Sequence, residues 1–230
     1  MQEDNMVAYG EFIPIFGADH FIFIGSLLLI AFLLFFNKDL VRRNRDRITV
    51  VILLISIAQQ ILLYRSYYQL MGFDLGESLP LHISRINSIL GILYLITKNE
   101  RIFTVFSYFS LFAWMSFLYP SRVYGITHPL GISFFVNHVI TLLLPYYGII
   151  AYGSENKKED KRVAYAWFLL YLSVAYLVNP LVEGNYFYLK HRPFFQNQPD
   201  PIYILLILLV TYLLFSMGNR LYNKIENNSF

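Results

Sequence analysis

Five histidines, a scatter of hydroxyl side chains inside apolar segments, and two arginines within the same segments are the residues of this 230-residue chain that could do chemistry. There is no cysteine. The chain shows no glycine-rich phosphate loop, no zinc-ligand spacing, no aspartate-rich cluster and no Gly-Xaa-Ser-Xaa-Gly elbow. What is left is proton transfer by imidazole, anion binding by guanidinium and, at most, a serine as nucleophile. No metal and no cofactor is expected. Nucleic acid is not an expected partner either, because the basic residues fall in short turns without a recognition element.

The densest stretch is Leu79-Pro80-Leu81-His82-Ile83-Ser84-Arg85-Ile86-Asn87-Ser88. On a helix it places His82 and Arg85 on one side and Ser84, Asn87 and Ser88 nearly opposite, so a dyad of Ser84 with His82 is geometrically poor. A base for Ser84 would have to come from another segment. Asn137, His138 and Thr141 form such a segment, with His138 about 10 Å beyond its entry point, a depth comparable to that of Ser84. His138 is therefore expected to meet Ser84 or His82 across a helix interface. Gln60, Tyr64, Tyr67 and Tyr68 share one helical face, with Arg65 and Gln69 beside them. Pro180, Glu183, Asn185, Tyr186, Tyr188, His191 and Pro193 make a polar-aromatic connection long enough to fold back as a lid. The set expected to bind substrate is Arg85, Arg65, Gln60, Tyr64, Asn137, Asn185, Tyr186 and Tyr188. Each has a plainer explanation: hydroxyls serve helix packing, Arg65 can snorkel, and tyrosines populate membrane interfaces.

These side chains need a frame, and composition specifies which. Hydrophobic residues make up 57% of the chain and charged ones 14%, against roughly 45–50% and about 25% in soluble domains. A hydrocarbon core about 30 Å thick requires roughly 20 helical residues. Seven apolar blocks qualify: His20–Phe36, Ile48–Gly72, Leu79–Thr97, Ile102–Tyr119, Gly131–Tyr152, Val163–Val182 and Ile202–Gly218. Phe21–Phe36 and Ile202–Phe215 are continuously apolar, which favours helices over a closed barrel. The expected fold is an all-α polytopic membrane bundle of about seven transmembrane helices, forming one integral membrane domain over residues 1–230.

Lysine and arginine fall unequally between alternate connections, thirteen on one side and three on the other. The positive-inside rule then sets the N-terminus outside and the C-terminus in the cytoplasm. Met1–Asp19 carries acidic residues and no Lys or Arg, so the first block is expected to be a retained span rather than a cleaved signal. All five histidines, His20, His82, His128, His138 and His191, map to the outer side or the outer third of the bundle. No internal repeat is evident, and a half-symmetric transporter is disfavoured.

The run Leu79–Ile86 followed by Leu95-Ile96-Thr97-Lys98-Asn99 resembles the Leu-Pro-Leu-His-Leu-Cys signature of the YwaF-like bacterial integral membrane proteins. Ser133-Phe134-Phe135-Val136-Asn137-His138 and Asn185-Tyr186-Phe187-Tyr188-Leu189 with Pro193 agree in order and spacing, so the resemblance spans about residues 20–215. That group is similar, distantly, to a eukaryotic transmembrane acyltransferase family that remodels ether phospholipids through a cysteine thioester and a histidine. The resemblance implies an acyl-accepting position at Ser84, with His82 beside it and His138 as the second histidine. Serine stands where the family has cysteine, so a thioester is impossible here, and a hydroxyl needs a base to act. An ester-forming Ser84 with His138 as base, a histidine-assisted direct transfer between two lipids, and a lost activity are the three outcomes.

The expected function is lipid modification in the cell membrane, with membrane phospholipids as partners and phospholipid acyl transfer as the reaction. His138 would be general base, assisted by His82, with Ser84 as the third catalytic residue. The rivals are a binding or transport protein for a lipid or small anion, and a non-catalytic membrane scaffold.

Overall fold

The structure is a computed structural model that describes residues 12–157 and 159–227. The helices are α1 (Ala18–Phe36), α2 (Lys38–Arg43), α3 (Arg45–Met71), α4 (Leu75–Ser78), α5 (Ile83–Thr97), α6 (Glu100–Ser110), α7 (Phe112–Leu118), α8 (Pro129–Tyr152), α9 (Asp160–Val178) and α10 (Asp200–Asn227), with a 3₁₀ turn at Tyr186–Tyr188. Among the described residues the β pairing is a single bridge between Phe12 and Tyr124. The protein is an all-helical, multi-pass membrane protein. The acidic run at the start of the chain, up to residue 11, lies outside the described residues.

Six stretches are long and apolar enough to cross a bilayer: α1, α3, α6 together with α7, α8, α9 and α10. The third expected span is shorter than its block. Leu79 is extended (φ −62°, ψ 149°) because the ring of Pro80 disfavours helical geometry at the residue before it. The helix starts only at Ile83 and runs for 15 residues, about 22 Å. The fourth span is two helices. Asn87 of α5 inserts its amide between the Phe106 carbonyl and the Ser110 N–H, at 3.1 Å from each. A side chain wedged into the backbone ladder is a recognised cause of a helix break, and α6 ends at Ser110.

Contacts place alternate connections at the same end. At one end Ile13 N donates to Val123 O (2.7 Å), the His20 ring bonds Phe117 O (2.7 Å), and the Tyr186 hydroxyl donates to Leu75 O (2.5 Å). At the other, Arg42 Nε donates to Ile150 O (3.1 Å) and Tyr147 donates to Arg45 O (2.6 Å). There Tyr94 also bonds Ser154 (2.8 Å), and Asn156 N donates to the Glu226 carboxylate (2.8 Å). Among the described residues the chain therefore passes from end to end seven times, with short α5 as the third passage.

The core is built around α8, of whose apolar window 78% is buried against 17–28% for α1, α3, α9 and α10. Two glycines let its neighbours approach. A methyl group on Gly131 would lie 1.9 Å from the Gly125 carbonyl, and one on Gly148 would lie 2.6 Å from the Tyr94 hydroxyl. Gly25 of α1 faces open space.

Overpacking of this kind costs typically about 1–3 kcal/mol. Gly131→Ala should accordingly lower the unfolding temperature in detergent by several degrees, while Gly25→Ala leaves it unchanged or raises it; equal behaviour of the two would contradict the packing. The charge asymmetry predicts that an impermeant thiol reagent labels Lys190→Cys in intact cells and Arg101→Cys only after permeabilisation. The reverse pattern would invert the orientation.

Candidate functional site

At the end of the bundle that carries the lid segment, the chain leaves α3, makes the single turn of α4 and reaches Pro80 before α5 begins. Asp74 caps α4 by accepting from Gly76 N at 2.9 Å. A turn this short cannot satisfy its own carbonyls. Arg85, one turn into α5, does so: its Nη1 donates to the carbonyls of Glu77 and Leu79, the latter at 2.9 Å. Its Nη2 donates to the Tyr67 hydroxyl of α3, and the guanidinium lies 4.6 Å from the Tyr67 ring centre. Arg85 is 5% exposed.

His82 is the residue before α5, on the same side as Arg85. Its Nε2 is 3.3 Å from Glu77 Oε2, an ion-pair distance that lacks hydrogen-bond alignment. Tyr186 covers it edge-on, with ring centres 4.9 Å apart. Tyr186 is fully buried. Its hydroxyl donates to Leu75 O and accepts from Leu79 N (3.1 Å), and its backbone is held by both ends of the Asn179 amide (2.7 and 3.0 Å). Gly76 and Gly184 let the α4 turn and the lid segment touch backbone to backbone.

Charge states follow from these surroundings. Burial pushes the Glu77 carboxyl up, but the nearby His82 ring, with Arg85 and Arg122, more than offsets it and holds the group below its usual range. Burial, reinforced by Arg85, lowers the His82 imidazole despite Glu77. Near neutrality the pair is a carboxylate and a neutral imidazole. With Nε2–H turned to the carboxylate, Nδ1 carries the lone pair. Nδ1 makes no hydrogen bond among the described residues, and the side chain is 25% exposed.

The opposite side of α5 faces different partners. Ser88 donates to the Asn137 side-chain oxygen, and Asn137 Nδ2 reaches Ser84 O at 3.5 Å. Ser88 and Asn137, with Ser56, Gln59 and Thr141, line a cleft between α3, α5 and α8 of about 10 Å³, roughly the room one water needs. Gln60 donates to Gln59 Oε1 (2.7 Å) and Gln59 to Ser133 (2.8 Å). The Ser84 hydroxyl has no hydrogen-bond partner among the described residues.

His138 does not join either group. Its Nδ1 bonds Phe134 O of its own helix (2.8 Å), and its ring packs on Phe134 and Phe117 (4.1 and 6.3 Å). One residue is a 100° turn, so where Asn137 meets α5, His138 points round the helix. Arg65 is on an exposed face of α3. Tyr64 packs beside Phe73. Asn185 organises the lid by accepting from Lys190 N and His191 N (3.0 and 2.8 Å). Tyr188 is partly exposed, its phenol raised by burial and set against Ser121. His20 accepts from Phe16 N and donates to Phe117 O, His128 caps α8, and His191 is exposed in the lid.

The structure thus brings together His82, Arg85 and Tyr186, and separately Asn137 with Ser84 and Ser88. Glu77 and Asn179 escaped sequence reasoning. Glu77 sits in a loop where an acid is unremarkable; its one signal was its place five residues ahead of His82, across a proline.

Acid should loosen this corner. His82 is depressed below its ordinary 6.5, so the unfolded chain takes up the proton first as pH falls through that value; Glu77, depressed below 4.5, acts in the same sense at lower pH. Stability contributed by both groups is present above these values and lost below them. Thermal unfolding in detergent should fall between pH 7 and pH 5 in the wild type and less so in His82→Gln; parallel curves would rule out a depressed His82.

No curated protein and no solved structure matches the chain. A family model does, over residues 15–218, an interval that holds α1, the α4–α5 corner, α8, the lid and most of α10. By that match, the chain belongs to the TMEM164 family, a family of transmembrane proteins.

Proposed function

We propose that this protein is a phospholipid acyltransferase of the cell membrane that uses His82, oriented by Glu77, as general base in a direct transfer between two lipids. The observation that carries the reading is the carboxylate–imidazole pair, with Nε2 3.3 Å from Glu77 Oε2 and the other nitrogen uncommitted. A carboxylate that fixes the tautomer of a histidine and stabilises the imidazolium is the arrangement of acyl-transfer bases.

In the proposed step Nδ1 takes the proton of an acceptor lipid's hydroxyl as its oxygen attacks the donor's ester carbonyl. The tetrahedral adduct then collapses, and the departing lysolipid oxygen recovers the proton from His82. One ester bond forms, one breaks, and the base returns to its starting state. Ser84 is not used as a nucleophile, because no imidazole lies within hydrogen-bond reach of its hydroxyl among the described residues. In this scheme His138 supports the packing of α8, and Arg85 holds the corner in which His82 sits rather than a phosphate.

The test is turnover of an isotope-labelled lysophospholipid by the purified protein in phospholipid vesicles, read by mass spectrometry. His82→Gln should lower the rate by about 100-fold or more, the usual scale for a lost general base. Ser84→Ala should stay near wild type. An acyl adduct on Ser84, or undiminished turnover by His82→Gln, would overturn the mechanism, and no turnover by the wild type would overturn the reaction.

A further inference from the structure

Between α9 and α10 the chain is fixed at two points. At the first, Asn179 follows the last residue of α9. Its backbone carbonyl accepts from Gly184 N (3.0 Å), and both ends of its side-chain amide bind the backbone of Tyr186. At the second, Arg192 clasps Asp200 and the Gln198 carbonyl and lies 4.2 Å over the Tyr203 ring.

Residues 183–191 span the interval, and two adjacent aromatic side chains plug them into the bundle. Tyr186 stands over His82, its ring centre 4.9 Å away, and bonds Leu75 O and Leu79 N at the α4 turn. Phe187 enters between α7 and α9, 5.4 Å from the ring centres of Phe112 and Phe168 and 5.6 Å from that of Tyr171. From α10 the Tyr203 hydroxyl donates to Tyr188 O (3.2 Å). Past that point Lys190 and His191 are exposed.

The docked backbone is strained. Glu183, Phe187 and Tyr188 are left-handed (φ 54°, 56° and 54°), a conformation unfavourable to any residue with a Cβ. Gly184, the glycine beside Glu183, is not among the left-handed positions. The strain is therefore carried by side-chain-bearing residues, and the two buried rings with the Asn179 bonds hold it in place. It is released when they leave. Strain of this kind gathers at switch segments, where it opposes the packing that maintains one state.

We propose that residues 183–191 form a sprung latch that opens by withdrawing Tyr186 and Phe187 together, pivoting between Asn179 and Arg192, and so uncovers His82 to a lipid. The rings are neighbours on one short strained turn, so neither leaves its pocket far without the other. Admission of a lipid as the purpose of the motion rests on the acyl-transfer reading. The motion itself does not.

Amide hydrogen exchange of the full-length protein in detergent, resolved to the Leu79 N–H, tests it, together with carbethoxylation of His82 by diethyl pyrocarbonate. The Leu79 N–H donates to the Tyr186 hydroxyl and is bonded to neither Asn179 nor Glu183, so its exchange reports opening at a distance from both. Asn179→Ala, which removes two hydrogen bonds from the latch, should speed both reactions about tenfold. Glu183→Gly, relieved of strain in the docked form, should slow both roughly threefold. Opposite changes from two variants of one segment are not produced by a general loosening of the fold. An unchanged Leu79 rate in Asn179→Ala, a Glu183→Gly variant no slower than wild type, or equal acceleration of exchange in α8 overturns the proposal. Constant modification of His82 while Leu79 responds overturns the uncovering of the imidazole. Neither readout needs turnover, so if both respond as expected while no acyl transfer is found, the latch stands and the acyl-transfer reading falls.

Discussion

A backbone carbonyl with no donor is costly at the edge of an apolar slab, and the turn between α3 and α5 creates several. Arg85 answers two of them at once, and most of the corner follows from that commitment. It fixes the first turn of α5 against α4 and, through Tyr67, against α3. Glu77 and His82, five residues apart in sequence, are thereby held face to face. Tyr186 closes the arrangement by satisfying another carbonyl and another N–H of the same turn. Arg85, Tyr67 and Tyr186 are thus committed to holding the turn, while His82 Nδ1 makes no hydrogen bond among the described residues.

The same economy governs the interior. Polar side chains between the helices are mostly spent on backbone or on one another, as with Ser56 on Ile52 O (2.8 Å) and Thr141 on Asn137 O (2.8 Å). Asn87 goes further and takes over a rung of the ladder of α6, turning the chain into α7 so that Phe117 can meet His20 and His138. A polar residue in an apolar bundle is thus not by itself a sign of catalysis.

The bundle was legible in the sequence because burial in lipid demands long uninterrupted apolar helices, and the alternation of charge between connections matches the two ends found by contact. Helix limits were less so. Pro80 delays α5 and Asn87 breaks the fourth passage, and both effects act through backbone hydrogen bonding, which hydropathy does not register. At the site, the helical wheel separated His82 and Arg85 from Ser84 and Ser88, and the two sides of α5 indeed meet different partners. The angular position of His138 was not legible, since depth along a helix says nothing about rotation relative to a neighbour. Glu77 was invisible for a related reason: its importance comes from a turn whose shape depends on Arg85.

The brevity of α5 carries a consequence for the surrounding bilayer. At about 22 Å it falls short of a hydrocarbon layer of about 30 Å. Mismatch of this sign is relieved by local thinning of the lipid beside the short helix. Thinning beside α5 would bring the ester linkages of bordering lipids toward the level of its first turn. On the proposed acyl-transfer reading, a lipid reaches His82 from the side with its tails still immersed and needs no extraction into water.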